Sequence, residues 1–274
     1  MSEQKLEQIR ANDRVSFSVQ TQGSGPPVLY LHGFGGLACV DFLNLLAAEH
    51  TVYAPEMPGV GESSGLHDLR DTWELVLAYQ DLLDALGLED VVVVGHSVGG
   101  MIAAELAANA PGSVRELVLV SPMGVFVETA PGRDPFALLP SEWCLLFADQ
   151  ESETAQRFAD PEGTIDERVE ILVDRATAAE AAAKFLFPLP DRGLARRLYR
   201  IRARTLIVAG ELDTVVPVEN VERFRTGISN AEVRAVADAA HMLPLERPEL
   251  LAETVAGFLA GTAASGGERM VAHG

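Results

Sequence analysis

Residues 91–100 read V-V-V-V-G-H-S-V-G-G, and this stretch constrains the chain more than any other. Four consecutive valines favour a strand, and an unbroken apolar run is a strand covered on both faces. Gly95 to Gly99 then fit the pattern G-x-S-x-G, and an alanine-rich run at 101–110 continues as a helix. Strand, sharp turn with a central serine, helix: that is the setting the pattern requires. Such a turn strains the backbone of its central residue, at a cost on the order of 1–3 kcal/mol. Gly95 and Gly99 are expected to be small because strand and helix pass too close there for a Cβ. Ser97 is expected at the tip, its hydroxyl exposed, at the positive end of the helix.

The flanking sequence repeats this rhythm. Val15, Phe17 and Val19 alternate as in a half-buried strand, and an earlier strand at 6–10 would join it through a turn at 11–13. Residues 28–31 predict a strand that ends in H-G-F-G-G at 32–36, and 51–54 predict another, with a short helix at 41–49 between them. In 71–86, Leu75, Tyr79, Leu82, Leu83 and Leu86 share one helical face. A strand follows at 114–120. From 121 to about 198 no strand-like run occurs; helical pieces at 136–139, 142–147, 166–175 and 176–185 predict an insertion. The sheet resumes at 204–209, with a helix at 218–224, a strand at 231–236 and a last helix near 248–259.

The expected class is therefore α/β, a mostly parallel sheet flanked by helices. The expected division is a core of residues 1–121 and 199–262, a helical insertion of 122–198 and a frayed tail of 263–274. Ligands of such sheets bind outside the carboxyl ends of the strands. The loop at 32–36, Ser97, and the segments after 209 and 236 all fall there.

A serine hydroxyl becomes a nucleophile when a base takes its proton, and that base is commonly a histidine oriented by a carboxylate. Of six histidines, His273 is in the tail, His50 precedes a strand at the wrong end of the sheet, and His67 precedes a helix. His32 belongs to the glycine-rich loop. His96 adjoins Ser97, so its side chain should point away from it. His241, in a short loop after the last strand, is the best base. Gly210-Glu211-Leu212-Asp213 leaves the preceding strand and offers two carboxylates. Asp213 is preferred, with Glu211 the alternative. Acyl transfer also needs donors for a developing oxyanion. The N–H groups of Val98, at the helix start, and of Phe34, in a loop where Gly33 and Gly35 allow close backbone approach, are the candidates.

Forty acidic against 21 basic residues give a net charge of −19. That disfavours binding to nucleic acid phosphates and to anionic membranes. No run is long enough to span a bilayer, and the polar N-terminus is no signal peptide. Cys39 and Cys144 show no metal-site spacing, and a reduced, cytoplasmic protein is the expectation. No metal or organic cofactor is implied, the expected partner is a small-molecule substrate, and the sequence gives no oligomeric state.

Together, H-G-F-G-G at 32–36, G-H-S-V-G-G at 95–100, G-E-L-D-T-V-V-P at 210–217 and A-H-M-L-P at 240–244 resemble the α/β-hydrolase superfamily. The order Ser97, Asp213, His241 is the one that family uses. Residues 55–63, P-E-M-P-G-V-G-E-S, resemble a further family loop, with Glu56 in place of the usual Asp. The resemblance implies that the insertion is a cap over a pocket, to which Phe126, Trp143, Phe147 and Met242 are candidates to contribute. It implies a serine hydrolase that cleaves a small-to-medium carboxylic ester, thioester or lactone through an acyl-enzyme. Two alternatives stand beside it: a carbon–carbon bond hydrolase of a diketone-type ring-cleavage product, and a hydrolase-fold ligand-binding protein. Met242 stands where many of those carbon–carbon hydrolases carry Trp. Relatives that use an aspartate nucleophile are excluded by Ser97. Lyases that depend on a cap lysine would have only Lys184.

Overall fold

A computed structural model describes residues 4–187 and 191–261, so the expected tail lies outside the described residues. Eight strands form one sheet: β1 (Lys5–Arg10), β2 (Ser16–Gly23), β3 (Pro27–Leu31), β4 (Thr51–Pro55), β5 (Val91–His96), β6 (Val114–Val120), β7 (Arg204–Gly210) and β8 (Ala231–Val236). Their spatial order is β1-β2-β4-β3-β5-β6-β7-β8. β1 pairs with β2, and β2 with β4, in antiparallel fashion; every later neighbour is parallel.

The valine run shows why the sheet needs cover on both sides. Successive strand side chains point to opposite faces. Val91 and Val93 join one buried cluster with Leu29, Leu117 and Ile207, while Val92 and Val94 join another with Val28, Val118 and Leu206. The first face is covered by α2 (Thr72–Leu86), α3 (Val98–Asn109) and α6 (Val218–Gly227), the second by α1 (Val40–Leu46) and α8 (Pro248–Leu259). The Asp71 carboxylate caps α2 by accepting the Glu74 N–H at 2.9 Å, and Gly87 ends it at φ 65°.

Between β6 and β7 the chain leaves the sheet. It makes short 3₁₀ turns at Pro135–Ala137 and Pro140–Leu146, then α4 (Glu153–Ala159) and α5 (Ile165–Leu186). Two differences from the sequence reading stand out. The pieces expected at 166–175 and 176–185 are one 22-residue helix, because Thr164 and Glu167 cap its start reciprocally and the alanine-rich run has no breaker. α4 was not foreseen; at seven residues it is too short for a periodic pattern, and Ser152 caps it. Lys184 reaches the carbonyl of Leu66 at 2.5 Å and so ties α5 to the core.

Candidate active site

The turn at Ser97 is built by exclusion. A Cβ on Gly95 would lie 2.4 Å from the Gly99 carbonyl oxygen, and one on Gly99 would lie 2.0 Å from that of Leu31. Only hydrogen fits at either position. Ser97 itself sits at φ 56°, in the left-handed region that costs a non-glycine residue about 1–3 kcal/mol.

β8 delivers His241 to the same point. The crossing is again opened by a glycine: a Cβ on Gly210 would lie 2.4 Å from the Ala239 carbonyl oxygen. His241 Nε2 stands 2.9 Å from Ser97 Oγ, and its Nδ1 stands 3.0 Å from Asp213 Oδ2. With Nδ1–H donating to the carboxylate, Nε2 is free to accept the serine proton. The other oxygen of Asp213 accepts the N–H groups of Val215 at 2.8 Å and Val216 at 2.9 Å. Burial by itself would push the Asp213 pKa up, but His241 and the Val216 N–H hold it below the ordinary carboxylate value. Glu211, the alternative carboxylate, is exposed and takes no part.

The loop after β3 closes the other side. His32 Nδ1–H donates to the Gly33 carbonyl at 2.6 Å, and its Nε2 accepts the Met57 N–H at 2.8 Å. Burial lowers the His32 pKa and keeps the ring neutral. A Cβ on Gly33 would lie 3.0 Å from Ser97 Cβ, and one on Gly35 would lie 3.1 Å from the Phe158 ring. Among the described residues no acceptor pairs with the N–H of Phe34 or of Val98.

His96, set aside as a base in the sequence, has a partner that the sequence did not show. Its ring turns into the loop of His241: Nε2–H donates to the His241 carbonyl at 2.8 Å. Burial first, and the neighbouring His241 second, push its pKa down to about 3, so it stays a neutral donor. Its partner lies 145 residues away, so no local signal could have shown this.

The expected exposure of the Ser97 hydroxyl is not found. Ser97 is 0% exposed and His241 1%, because the helical segment closes over them. Phe34 packs edge-on against Phe136, Trp143 and Phe158, and Phe158 packs on Phe147. A cavity of about 200 Å³ is walled by Met123, Val125, Phe136, Leu186, Val215 and Val216; Val215 and Val216 also bond the Asp213 carboxylate, but Ser97, His241 and Asp213 do not line it. Phe126 lines this cavity. Trp143, Phe147 and Met242 do not; they are buried in the packing that seals the site. The cavity's charged lining residues, Arg133 and Asp134, are exposed. Arg192, near the end of the insertion, donates through Nε to the Phe185 carbonyl at 3.4 Å. Glu56 serves its own loop, accepting from the Glu62 N–H at 3.4 Å.

The sequence profile of the alpha/beta hydrolase family matches residues 28–254. The dihydrolipoyllysine-residue acetyltransferase component of the acetoin cleaving system of Cupriavidus necator is 32% identical over 240 residues, 82% of this chain; the match spans 61% of that protein. The 2-hydroxymuconate semialdehyde hydrolase of Pseudomonas sp. strain CF600 is 30% identical over 261 residues, 89% of this chain and 90% of that one. Among solved structures, a bacterial membrane phospholipase A superposes with a TM-score of 0.78 at 24% identity, over 96% of this chain and 87% of that chain. That likeness concerns the fold. Among the described residues no helix is long and apolar enough to cross a membrane.

Proposed function

The chain belongs to the alpha/beta hydrolase family, and from that premise we propose that it is a serine hydrolase of small-to-medium neutral carboxylic esters, thioesters or lactones. The observation that carries this reading is the unbroken line from Ser97 Oγ through His241 to Asp213, with two unpaired N–H groups beside it. Ser97 attacks the substrate carbonyl while His241 takes its proton. The Phe34 and Val98 N–H groups receive the oxyanion, a contribution of roughly 3–4 kcal/mol per donor in such sites. His241 then protonates the departing alcohol or thiol. A water, deprotonated by His241, releases the acid from Ser97.

In this reading residues 122–198 form the cap over the pocket. The small, apolar cavity, whose charged lining residues Arg133 and Asp134 are exposed, suits an uncharged acyl or alcohol group. The second reading, cleavage of a carbon–carbon bond in a ring-cleavage product, is favoured by the likeness to the 2-hydroxymuconate semialdehyde hydrolase. It would need a cation for the substrate's carboxylate.

The test is a burst assay with p-nitrophenyl acetate and butyrate, with mass spectrometry for an acyl-enzyme. Turnover with an acyl group on Ser97 is expected, and Ser97→Ala should lower kcat by roughly 10⁴ or more. Wild-type protein that is neither acylated nor active on these esters, yet releases a carboxylic acid from a conjugated diketone acid, would move the assignment to the second reading.

A further inference from the structure

His241 is held from above as well as from below. Two residues beyond it begins a single helical turn, α7 (Leu243–Glu246). The Glu246 carboxylate at its end folds back: it accepts the Ala240 N–H at 3.0 and 3.2 Å on its two oxygens. The same carboxylate accepts the N–H of Ala148 at 2.8 Å, and Ala148 belongs to the cap, 98 residues away in sequence. Two residues before Ala148, the Leu146 carbonyl accepts the N–H groups of both His241 at 3.1 Å and Met242 at 3.3 Å. Between them Phe147 is buried against Phe158. Residues 146–148 therefore lie along 240–242 as a strap.

Glu246 has no cationic partner among the described residues. Its pKa is raised, by burial first and by the charge of Asp213, with His241 acting the other way. A half-buried carboxylate without a counter-charge is costly to keep, and what it holds is backbone from two separate segments. Since Ser97 and His241 are closed off, substrate entry requires the cap to move. Moving the strap frees Ala148 from Glu246 and removes the acceptor of the His241 and Met242 N–H groups.

We propose that Glu246 is a positioning residue that couples cap closure to the alignment of His241, so that the base is set only when the cap is shut. This rests on the reading of His241 as the base of Ser97. A carboxylate suits the task because its two oxygens can accept N–H groups from two directions at once. The consequence is a gate on chemistry: an open cap leaves Ser97 reachable but its base misaligned, which disfavours reaction with groups too large for the cap to close over.

The experiment follows covalent labelling of Ser97 by a fluorophosphonate. Ser97 Oγ bonds to phosphorus, fluoride leaves, and His241 takes the hydroxyl proton. Labelling is compared in the full-length wild type, Glu246→Leu and Glu246→Gln, alongside steady-state hydrolysis of p-nitrophenyl acetate. Misplacement of a base by a fraction of an ångström to one ångström predicts labelling and kcat roughly ten- to a hundredfold lower in Glu246→Leu, with KM changed far less. Glu246→Gln keeps one acceptor oxygen, and since Oε2 alone accepts from both Ala148 and Ala240, it should recover most of the rate. Hydrogen exchange should show 146–148 and 240–242 losing protection together in Glu246→Leu.

The proposal is overturned if Glu246→Leu labels within about twofold of wild type, if Glu246→Gln is as slow as Glu246→Leu, or if protection is lost on one side alone. Should Glu246→Leu fail to fold, the comparison of Glu246→Gln with wild type stands in its place, and a Gln variant as crippled as a triad mutant overturns the proposal. Failure of the underlying reading has a different signature: wild-type Ser97 would not label, or His241→Ala would label as fast as wild type.

Discussion

The carboxyl edge of the sheet and the helical segment above it are specified in different ways. At the edge, single residues are dictated by distances of two to three ångströms. Gly95, Gly99 and Gly210 each face a carbonyl oxygen where a Cβ would stand, and each lies beside a member of the triad. In the segment above, specification is diffuse. Phe136, Trp143 and Phe158 come from two 3₁₀ turns and α4 and meet around Phe34, and Phe147 packs on Phe158. The first half of α5 exposes Ile165, Val169 and Val173. A site on rigid strand ends tolerates no exchange, whereas a cover of interlocked rings tolerates many exchanges of similar volume. The same chain can thus keep one chemistry at the edge while its cover changes.

The hardest test of that contrast is Gly99→Ala. The added methyl cannot coexist with the Leu31 carbonyl at 2.0 Å, so strand and helix must part. The expected result is a loss of more than about 4 kcal/mol in urea unfolding, together with loss of Ser97 labelling. Gly112→Ala is the control. Nothing lies within 4 Å of its Cβ, and a surface change of this kind should stay within about 0.5 kcal/mol. Equal losses at the two glycines would break the comparison.

The cover should respond more gently and more locally. Phe158→Ala removes a ring, 3% exposed, that touches Trp143, Phe147 and Phe34 and shields Gly35. Truncation of a buried phenylalanine costs about 3–5 kcal/mol when the cavity stays open, and less where neighbours collapse into it. Here the neighbours Trp143, Phe147 and Phe34 lie in short turns and a loop rather than in strands, so the low end is expected. Hydrogen exchange should locate the loss in 140–187 and leave β5 and β7 protected. A loss shared equally by the strands would mean that cover and sheet are one cooperative unit.

The contrast also explains what could be read from sequence. The sheet, the order of its strands along the chain, the turn at Ser97 and the loop at 32–36 are written in neighbouring residues: alternation, β-branching and obligatory glycine. The choice between Glu211 and Asp213 was not. Both leave the same strand, and what singles out Asp213 is its burial, its bond to His241 Nδ1 across 28 residues and the N–H groups of Val215 and Val216. The continuity of α5 was obscured because half of its length is exposed and carries no apolar periodicity facing a core. The closed state of Ser97 was invisible because it depends on rings from two 3₁₀ turns and α4. The tie made by His96, which was set aside as a base, and the place of Glu246 were not legible either, since each binds backbone far away in the chain, and a backbone partner leaves no mark on sequence.

The smallest effect, read per pH unit, separates the two regions by pH. Of the six histidines, none lies in 122–198, whereas His32, His96 and His241 cluster at the sheet edge. His96 is buried and its pKa is pushed down to about 3 from an ordinary value of 6.5, and that of His32 is lowered as well. An unfolded chain therefore binds protons at these positions that the folded chain refuses. Their contribution to stability is complete above the ordinary value and is lost as pH falls from there toward the lowered one. The slope per histidine is at most about 1.4 kcal/mol per pH unit. His96→Gln leaves an amide donor for the His241 carbonyl and removes the titration. Its stability, measured by urea unfolding at several values between about pH 4 and 7, should fall less steeply on the acid side, by up to that slope. Exchange in wild type should rise first in 95–97 and 240–242, before α5. Parallel slopes for wild type and His96→Gln would mean that the ring takes up its proton without unfolding, and that the tie to the His241 carbonyl survives a charge buried beside it.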